Sequence, residues 1–447
     1  MDQQADIFVI APNDELRKVC EALKADFGYP FQEWKDIDTL FESERPKKEP
    51  RIAILSAVAV KNKNDIAGQV QVVRQIFTEC FIICVVEKTL EPETASFLKK
   101  SGADVVVLED EAIRSSKIHF ICSQTLSSAY IPIKASELTP GAEITFDLFH
   151  LLPMRGKFLI SRHAGDVLDD AKISKCASVG EMYIRQKDAA AFSKYTNEHT
   201  DRSAAGLSRR CRAQFLSLAS SYVDLVYHLT NRGEHASYKQ GQDFLKQTIE
   251  VAQSMVASLG GFDDAWNIIN NSSIGTFGSV ERAPAIAAYA ALFSLQADVG
   301  PLDDVMLAAL LSDLGIIYLD PKITRKLRNK EIASLTASER DEYEKHPSIS
   351  IEVVLDRKLP ISQDVRNIIA CSHERVDGNG FPKKLMGTKV PKIAELIQIA
   401  EIIDQSTSLR LGQARVDKAQ FRKEFFEREL ENRRFSLDLL TKLGKQI

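Results

Sequence analysis

The chain has 447 residues, 44% apolar and 27% charged, the proportions of a soluble globular protein long enough for two to four domains. Its formal net charge of −4 excludes a global basic field that would gather nucleic acid or anionic membrane, so neither is expected as a partner. The 7 cysteines are scattered without a metal-type pair spacing and read as reduced, buried thiols of a cytoplasmic protein.

No charged-then-apolar leader opens the sequence. The longest apolar run, APAIAAYAALFSL from Ala283, is too short to cross a bilayer of about 30 Å at about 1.5 Å per residue, and reads as a buried core helix. Residues 1–130 alternate buried strands with helical periods. The strands are DIFVIAP from Asp6, RIAILSA from Arg51, CFIICVVE from Cys80 and SGADVVVLE from Ser101; DELRKVCEALKADF is one of the helices. This rhythm predicts βαβ units around a parallel sheet.

The spacing and the SGAD turn resemble the receiver domains of two-component systems. In that family an aspartate ending the third strand accepts phosphate, and an acidic pair after the first strand holds Mg²⁺. Here Ser56 stands at the acceptor position, and Ala11 and Pro12 fill the acidic turn, with Asn13 and Asp14 just beyond. Glu109 stands where the family's lysine follows the last strand. Magnesium needs carboxylate oxygens and a serine does not replace the acceptor aspartate, so the resemblance implies a receiver-like fold used for docking or dimerisation.

Residues 131–204 alternate strands, with a hairpin turn near MRGK, a short helix and a last strand in EMYIRQKD. They predict a small β-rich (α+β) domain, similar to one that often precedes bacterial HD-GYP domains. His150 and His163 lie here and read as structural histidines. Residues 205–447 turn helical: RRCRAQFLSLASSYVDLVYHL and QDFLKQTIEVAQSMVASL place apolar residues at i, i+3, i+4 and i+7. Further helices are expected over 281–297, 302–318, 337–355, 361–374, 392–407 and 418–430. The basic stretch PKITRKLRNK, residues 321–330, reads as a surface loop, with Lys322 a candidate phosphate contact.

Four side chains with metal-ligand chemistry fall near helix ends in this region: Asp313, His346, His373 and Glu401. Gaps of about thirty residues let successive helices of a bundle each send one ligand inward. His346 precedes Pro347 at a helix break, where a side chain can face a pocket.

HPSIS, SHERVDGNGFP and IAEIIDQSTSLR resemble the HD-GYP family of cyclic di-GMP phosphodiesterases, a subgroup of HD-domain metal hydrolases, over residues 240–440. The resemblance implies a two- or three-metal site that hydrolyses a phosphodiester. Position by position, the family's first histidine falls on Gly278, its His-Asp pair on Ser312 and Asp313, and its phosphate-contacting lysine on Ile316. The histidine before proline is His346, and the His-His pair becomes Ser372 and His373. Glu374 and Arg375 follow, Arg375 being a candidate substrate contact. The turn keeps Gly380 and Pro382 around Phe381, and the late aspartate becomes Glu401.

Three ligand histidines are therefore replaced, and no catalytic residue is assigned. The expected architecture is multidomain: an α/β receiver-like domain over 1–130, a small β-rich domain over 131–204 and an all-α HD-GYP-like helical bundle over 205–447. The expected function is that of a degenerate HD-GYP signalling protein, inactive towards cyclic di-GMP, which binds a protein or a nucleotide. The alternative is a metal-dependent phosphodiesterase on a reduced one-metal site. No cofactor is expected beyond at most one divalent transition metal, iron, manganese or zinc. The expected partners are a signalling protein, cyclic di-GMP and, for a homodimer, a second copy of the chain. Ser312 and Ser372 are expected to hydrogen-bond to neighbours such as Asp313 or His373.

Overall fold

The structure is a computed structural model that describes residues 5–43, 49–78, 80–87, 92–127, 130–152, 157–201, 203–230, 238–258, 279–329, 331–407 and 418–444. Five short strands, β1 (Ile7–Ile10), β2 (Phe31–Trp34), β3 (Ile52–Ser56), β4 (Phe81–Val86) and β5 (Val105–Leu108), form a parallel sheet in the order β2-β1-β3-β4-β5. Ile7 pairs with Phe31 on one side and Ile52 on the other, and Ile52 pairs with Phe81. The central strands are apolar but for Ser56 at the end of β3, because helices cover both faces, as this doubly wound order requires.

The sequence named four of these strands and missed β2. FQEW lies at the sheet edge, half-buried or exposed, and carries no apolar run to betray it. Beyond the sheet, four strands pair antiparallel in the order β6-β9-β7-β8: β6 (Tyr130–Ile133), β7 (Leu148–Leu152), β8 (Lys157–Arg162) and β9 (Met182–Arg185). Leu152 pairs with Lys157, so the expected hairpin is present, while residues 153–156 of its turn lie outside the described residues.

From the long helix Ala204–Thr230 onward the described chain is helical. Helices Ser279–Ala297, Leu302–Leu311, Gln363–Ala370 and Lys392–Thr407 pack into one apolar core. Two expected helices are broken, at the positions that matter most. The expected 302–318 helix ends at Leu311 and gives way to a 3-10 turn over Leu314–Tyr318. The expected 337–355 helix splits into Ala337–Tyr343 and His346–Asp356.

The basic loop is corrected to a helix, Pro321–Arg328, capped by Asp320, whose carboxylate accepts from the Lys322 N–H at 2.8 Å. Both of its arginines are engaged with the parallel-sheet region. Arg325 and Arg328 reach Asp26 beside the parallel sheet, at 2.6 and 3.0 Å, and the Arg328 guanidinium lies 4.4 Å from the Phe27 ring centre. Helix Lys117–Ser127 completes this contact: Ser116 Oγ donates to Leu319 O at 2.9 Å, and the Lys117 ammonium donates to Thr230 O. All 7 cysteines are buried and none forms a disulfide, and among the described residues no helix is long and apolar enough to cross a membrane.

Candidate metal centre

The helix breaks place the site. After Leu311 the chain leaves the helix, and Asp313 takes a half-turned conformation (φ −100°, ψ 4°) at the head of the 3-10 turn. Two residues on, Gly315 has no side chain because there is no room for one. A Cβ there would stand 2.1 Å from His346 O. Gly315 N instead donates to Ser350 Oγ at 2.8 Å, and the same hydroxyl lies 2.8 Å from Ser312 O and 3.0 Å from His346 O. A glycine and a buried serine thus clamp the Asp313 turn onto the first turn of the His346 helix.

His346 is fully buried and opens its helix ahead of Pro347, whose missing N–H costs nothing in the first turn. Its Nδ1 sits 2.6 Å from Tyr343 O, a carbonyl that only accepts. The proton is therefore on Nδ1, and Nε2 carries a lone pair. His373 follows the end of helix Gln363–Ala370, and its Nδ1 faces Glu401 Oε2 at 3.9 Å. The His373 ring is stacked on Phe381 at 4.7 Å and 11°.

The two Nε2 atoms lie 2.9 Å apart, with Asp313 Oδ1 3.4 Å from one and 3.6 Å from the other. Ligands about 2.0–2.2 Å from a shared ion stand roughly 3.0–3.5 Å from each other, so this triangle fits a single divalent transition metal. The donor set, two imidazoles and one carboxylate, suits iron, manganese or zinc. Asp313, His346 and His373 are the expected residues that converge. Glu401 stands behind His373, outside this three-atom group, and accepts from Gln405 Nε2 at 2.7 Å.

The electrostatics follow from burial. Desolvation raises the Asp313 carboxyl, but the His346 and His373 rings beside it outweigh that and hold the group well below the usual carboxylate range. Burial pushes the His373 imidazole down, Asp313 pulls it back up in part, and His346 opposes that. Burial, then the charges of Asp313 and Asp404, push the Glu401 carboxyl well up.

The remaining positions fall as follows. Ser312 is buried and donates to Ala309 O at 3.2 Å, a backbone partner rather than the expected side chain. Ser372 is buried and its hydroxyl has no hydrogen-bond partner among the described residues, which overturns its expected bond to Asp313 or His373. Ile316 is buried in the main helical core. Arg375 pairs with Asp377, its Nε 3.0 Å from Oδ1, and Lys322 is exposed at the start of its helix. Gly278 lies outside the described residues.

The turn after His373 is held by Glu374, fully buried, which accepts from Lys383 N at 2.5 Å and Leu385 N at 2.8 Å. Gly378 takes a positive φ, +77°. Gly380 does not: a Cβ there would lie 2.3 Å from Arg375 N and 2.6 Å from His373 O, so close packing, not φ, demands glycine. Sequence reading passed over Gly315, Ser350 and Tyr343. The available signal was the glycine two residues after Asp313 and the aromatic three residues before His346.

The HD domain family matches residues 266–421. The chain is 29% identical over 106 residues to the cyclic di-GMP phosphodiesterase response regulator RpfG of Xanthomonas campestris pv. campestris (strain 8004), covering 24% of this chain and 27% of that protein. It is 28% identical over 102 residues to the 3'3'-cGAMP-specific phosphodiesterase 2 of Vibrio cholerae serotype O1 (strain ATCC 39315 / El Tor Inaba N16961), covering 23% and 19%. The chain thus spans only about a quarter or less of these relatives' lengths. Among solved structures, Bd1817, a HDG"Y"P protein from Bdellovibrio bacteriovorus, superposes with a TM-score of 0.46 at 17% identity, over 71% of this chain and 98% of that one. The triangle of Asp313, His346 and His373 falls inside the matched segment, and residues 266–421 of this chain are an HD domain.

Proposed function

We propose that this chain is a signalling protein whose HD domain holds one divalent transition metal on Asp313, His346 and His373, seats a cyclic dinucleotide phosphate against it, and passes that state to a protein partner without hydrolysing the ligand. The observation that carries the reading is the convergence of those three ligand atoms within 4.8 Å of one another. A bound ion supplies positive charge to a phosphate oxygen there. The chain's own residues prepare the place: Tyr343 O sets the His346 tautomer, and Phe381 fixes the plane of His373.

Two-metal displacement needs one ion for the attacking oxygen and one for the leaving oxygen. Serines at 312 and 372, where the HD-GYP family has imidazoles, and a buried Ile316 in place of its lysine support a site without that second ion. Lys322 and Arg375 remain our candidates for phosphate contact, with Glu401 a supporting carboxylate. The receiver-like reading of residues 1–130, the β-rich domain of 131–204 and the helical domain of 205–447 are our division of the chain. A one-metal phosphodiesterase is the second reading, favoured because three protein ligands are what single-ion catalytic sites keep.

Metal content and turnover test both. Purified full-length chain should carry no more than one ion, His346→Ala should carry none, and cyclic di-GMP should be recovered intact after incubation with manganese or iron. Two ions per chain together with linear product would overturn the proposal. Linear product with one ion, not increased by Gly278→His, Ser312→His, Ser372→His and Ile316→Lys together, would establish the second reading.

A further inference from the structure

Where the turn after His373 meets the helices Lys418–Asn432 and Leu437–Gly444, the chain leaves a half-open cleft of about 790 Å³, within the usual size of small-molecule sites. Val376 and Val390 line it from the side of the turn, and Leu430, Leu437 and Leu440 from the helices. Val376 N donates to Arg434 O at 3.1 Å and ties the two sides together. Leu430 and Leu437 are 46% and 67% exposed, so the apolar lining is open to water.

Six charged side chains line the same cleft, and five of them are engaged. Asp377 accepts from Arg375 Nε at 3.0 Å, Glu395 from Ser436 N at 2.6 Å, Glu429 from Arg434 Nε at 2.6 Å, and Asp438 from Lys392 Nζ at 2.8 Å. The sixth is Arg433. It is exposed, and its side chain has no hydrogen bond or ion pair among the described residues. Its backbone is strained as well. Arg433 ends helix Lys418–Asn432 at φ +52°, with its N–H on Glu429 O at 3.1 Å, in the left-handed conformation that helix ends usually give to glycine. A residue with a Cβ is disfavoured there and glycine is not. The chain thus holds a guanidinium at the cleft against the preference of its own backbone.

We propose that this cleft binds a small amphiphilic carboxylate, with its apolar body along Val376, Leu430, Leu437 and Leu440 and its head on the Arg433 guanidinium. An anion suits the place because the four lining carboxylates are already engaged and the charge left over is positive. A planar guanidinium takes a carboxylate through two parallel N–H bonds. An apolar body suits it because covering the two exposed leucines removes them from water. None of Asp313, His346 and His373 lines the cleft, so the site is independent of the metal-binding reading.

The probe is decanoate, titrated by calorimetry into the full-length chain in EDTA, which keeps the metal centre out of the result. Acetate supplies the head without the body, and decyltrimethylammonium the body with the opposite charge. Both should bind at least about tenfold more weakly than decanoate. Arg433→Gly should weaken decanoate by about tenfold or more, as for hydrogen bonds to a charged group, yet melt no lower than the parent, because glycine is at ease at that φ. Arg433→Gln, which keeps a long side chain but no charge, should lose binding to the same extent. Leu437→Ser, at an exposed position, should weaken decanoate by about threefold or more. Several results would overturn the proposal: no decanoate binding to the parent below about 1 mM, decyltrimethylammonium bound as tightly as decanoate, or affinity kept within twofold in Arg433→Gly or Arg433→Gln. A marked fall in the melting temperature of Arg433→Gly would overturn it too, by showing that the guanidinium has its partner within the chain.

Discussion

At the residue scale the site depends on atoms that are absent as much as on those present. Gly315 leaves the space into which His346 O projects, and a methyl group there would stand 2.1 Å from that oxygen. Gly315→Ala should therefore destabilise the protein by more than about 2 kcal/mol, since neither neighbour is a side chain that can swing away. Gly68 offers the internal comparison: it sits inside helix Lys63–Ile76, and a methyl group added to it would meet nothing within 4 Å. Gly68→Ala should stabilise by roughly 0.5–1 kcal/mol. Urea unfolding of the two variants checks both signs, and a neutral Gly315→Ala would refute the clamp.

A second residue, His119, links stability to pH. It is buried on helix Lys117–Ser127 with neither ring nitrogen hydrogen-bonded among the described residues. Burial, then the Arg328 charge, push its imidazole down to about 4. Below its unfolded value of about 6.5, the unfolded chain takes up a proton that the folded chain refuses. This contribution is complete above about pH 6.5 and is lost as pH falls towards 4, by about 2 kcal/mol at pH 5. His119→Phe should flatten that slope in urea titrations at pH 7 and pH 5; an unchanged slope would place the titration elsewhere.

At the element scale, helix Pro321–Arg328 joins the HD domain to the parallel-sheet region through Asp26, whose side chain is 3% exposed against 9% for Arg328. Asp26→Ala strands a largely buried guanidinium and should cost about 3 kcal/mol. Asp26→Ala with Arg328→Met should recover much of that, because the guanidinium left without Asp26, that of Arg325, is well exposed. Differential scanning calorimetry of the single and double variants measures this, and equal losses would show that the pair is not the join.

Legibility follows the same physics. Apolar runs gave β1, β3, β4 and β5, and period gave the helix Lys392–Thr407 to the residue. β2 escaped because an edge strand needs no apolar run. Helix Pro321–Arg328 escaped because five of its eight residues, PKITRKLR, are proline, lysine or arginine, and its stability comes from Asp320 and Asp26. Within the site, His346 before a proline and the loop around His373 were readable as ligands-in-waiting. The Gly315–Ser350 clamp was not, because a contact across 35 residues leaves no local pattern.

For the whole molecule, the question is which input reaches the HD domain. On the receiver-like reading proposed above, the acceptor position is Ser56, buried at the end of β3, and Glu109 accepts a hydrogen bond from Asn13 at 2.6 Å across the same sheet edge. A carboxylate held there opposes an arriving phosphoryl group. Incubation with acetyl phosphate should leave the intact mass of the chain unchanged. An acid-labile phosphate removed by Ser56→Ala or Asp14→Ala would show that the N-terminal region does take up phosphate. Ser116, just ahead of helix Lys117–Ser127, donates its hydroxyl to Leu319 O, so the parallel-sheet region touches the segment that follows Asp313.

Gly380 bears on how such chains are recognised at all. Its lack of a side chain is enforced by the backbone of Glu374 and Arg375 and by His373 O, none of which needs a metal or a substrate. The signature turn is therefore a fossil-proof fingerprint: a chain can shed its reaction and still be compelled to spell it. A search keyed to those letters finds folded loops, and on the reading proposed above it is positions 312, 316 and 372 that bear on hydrolysis.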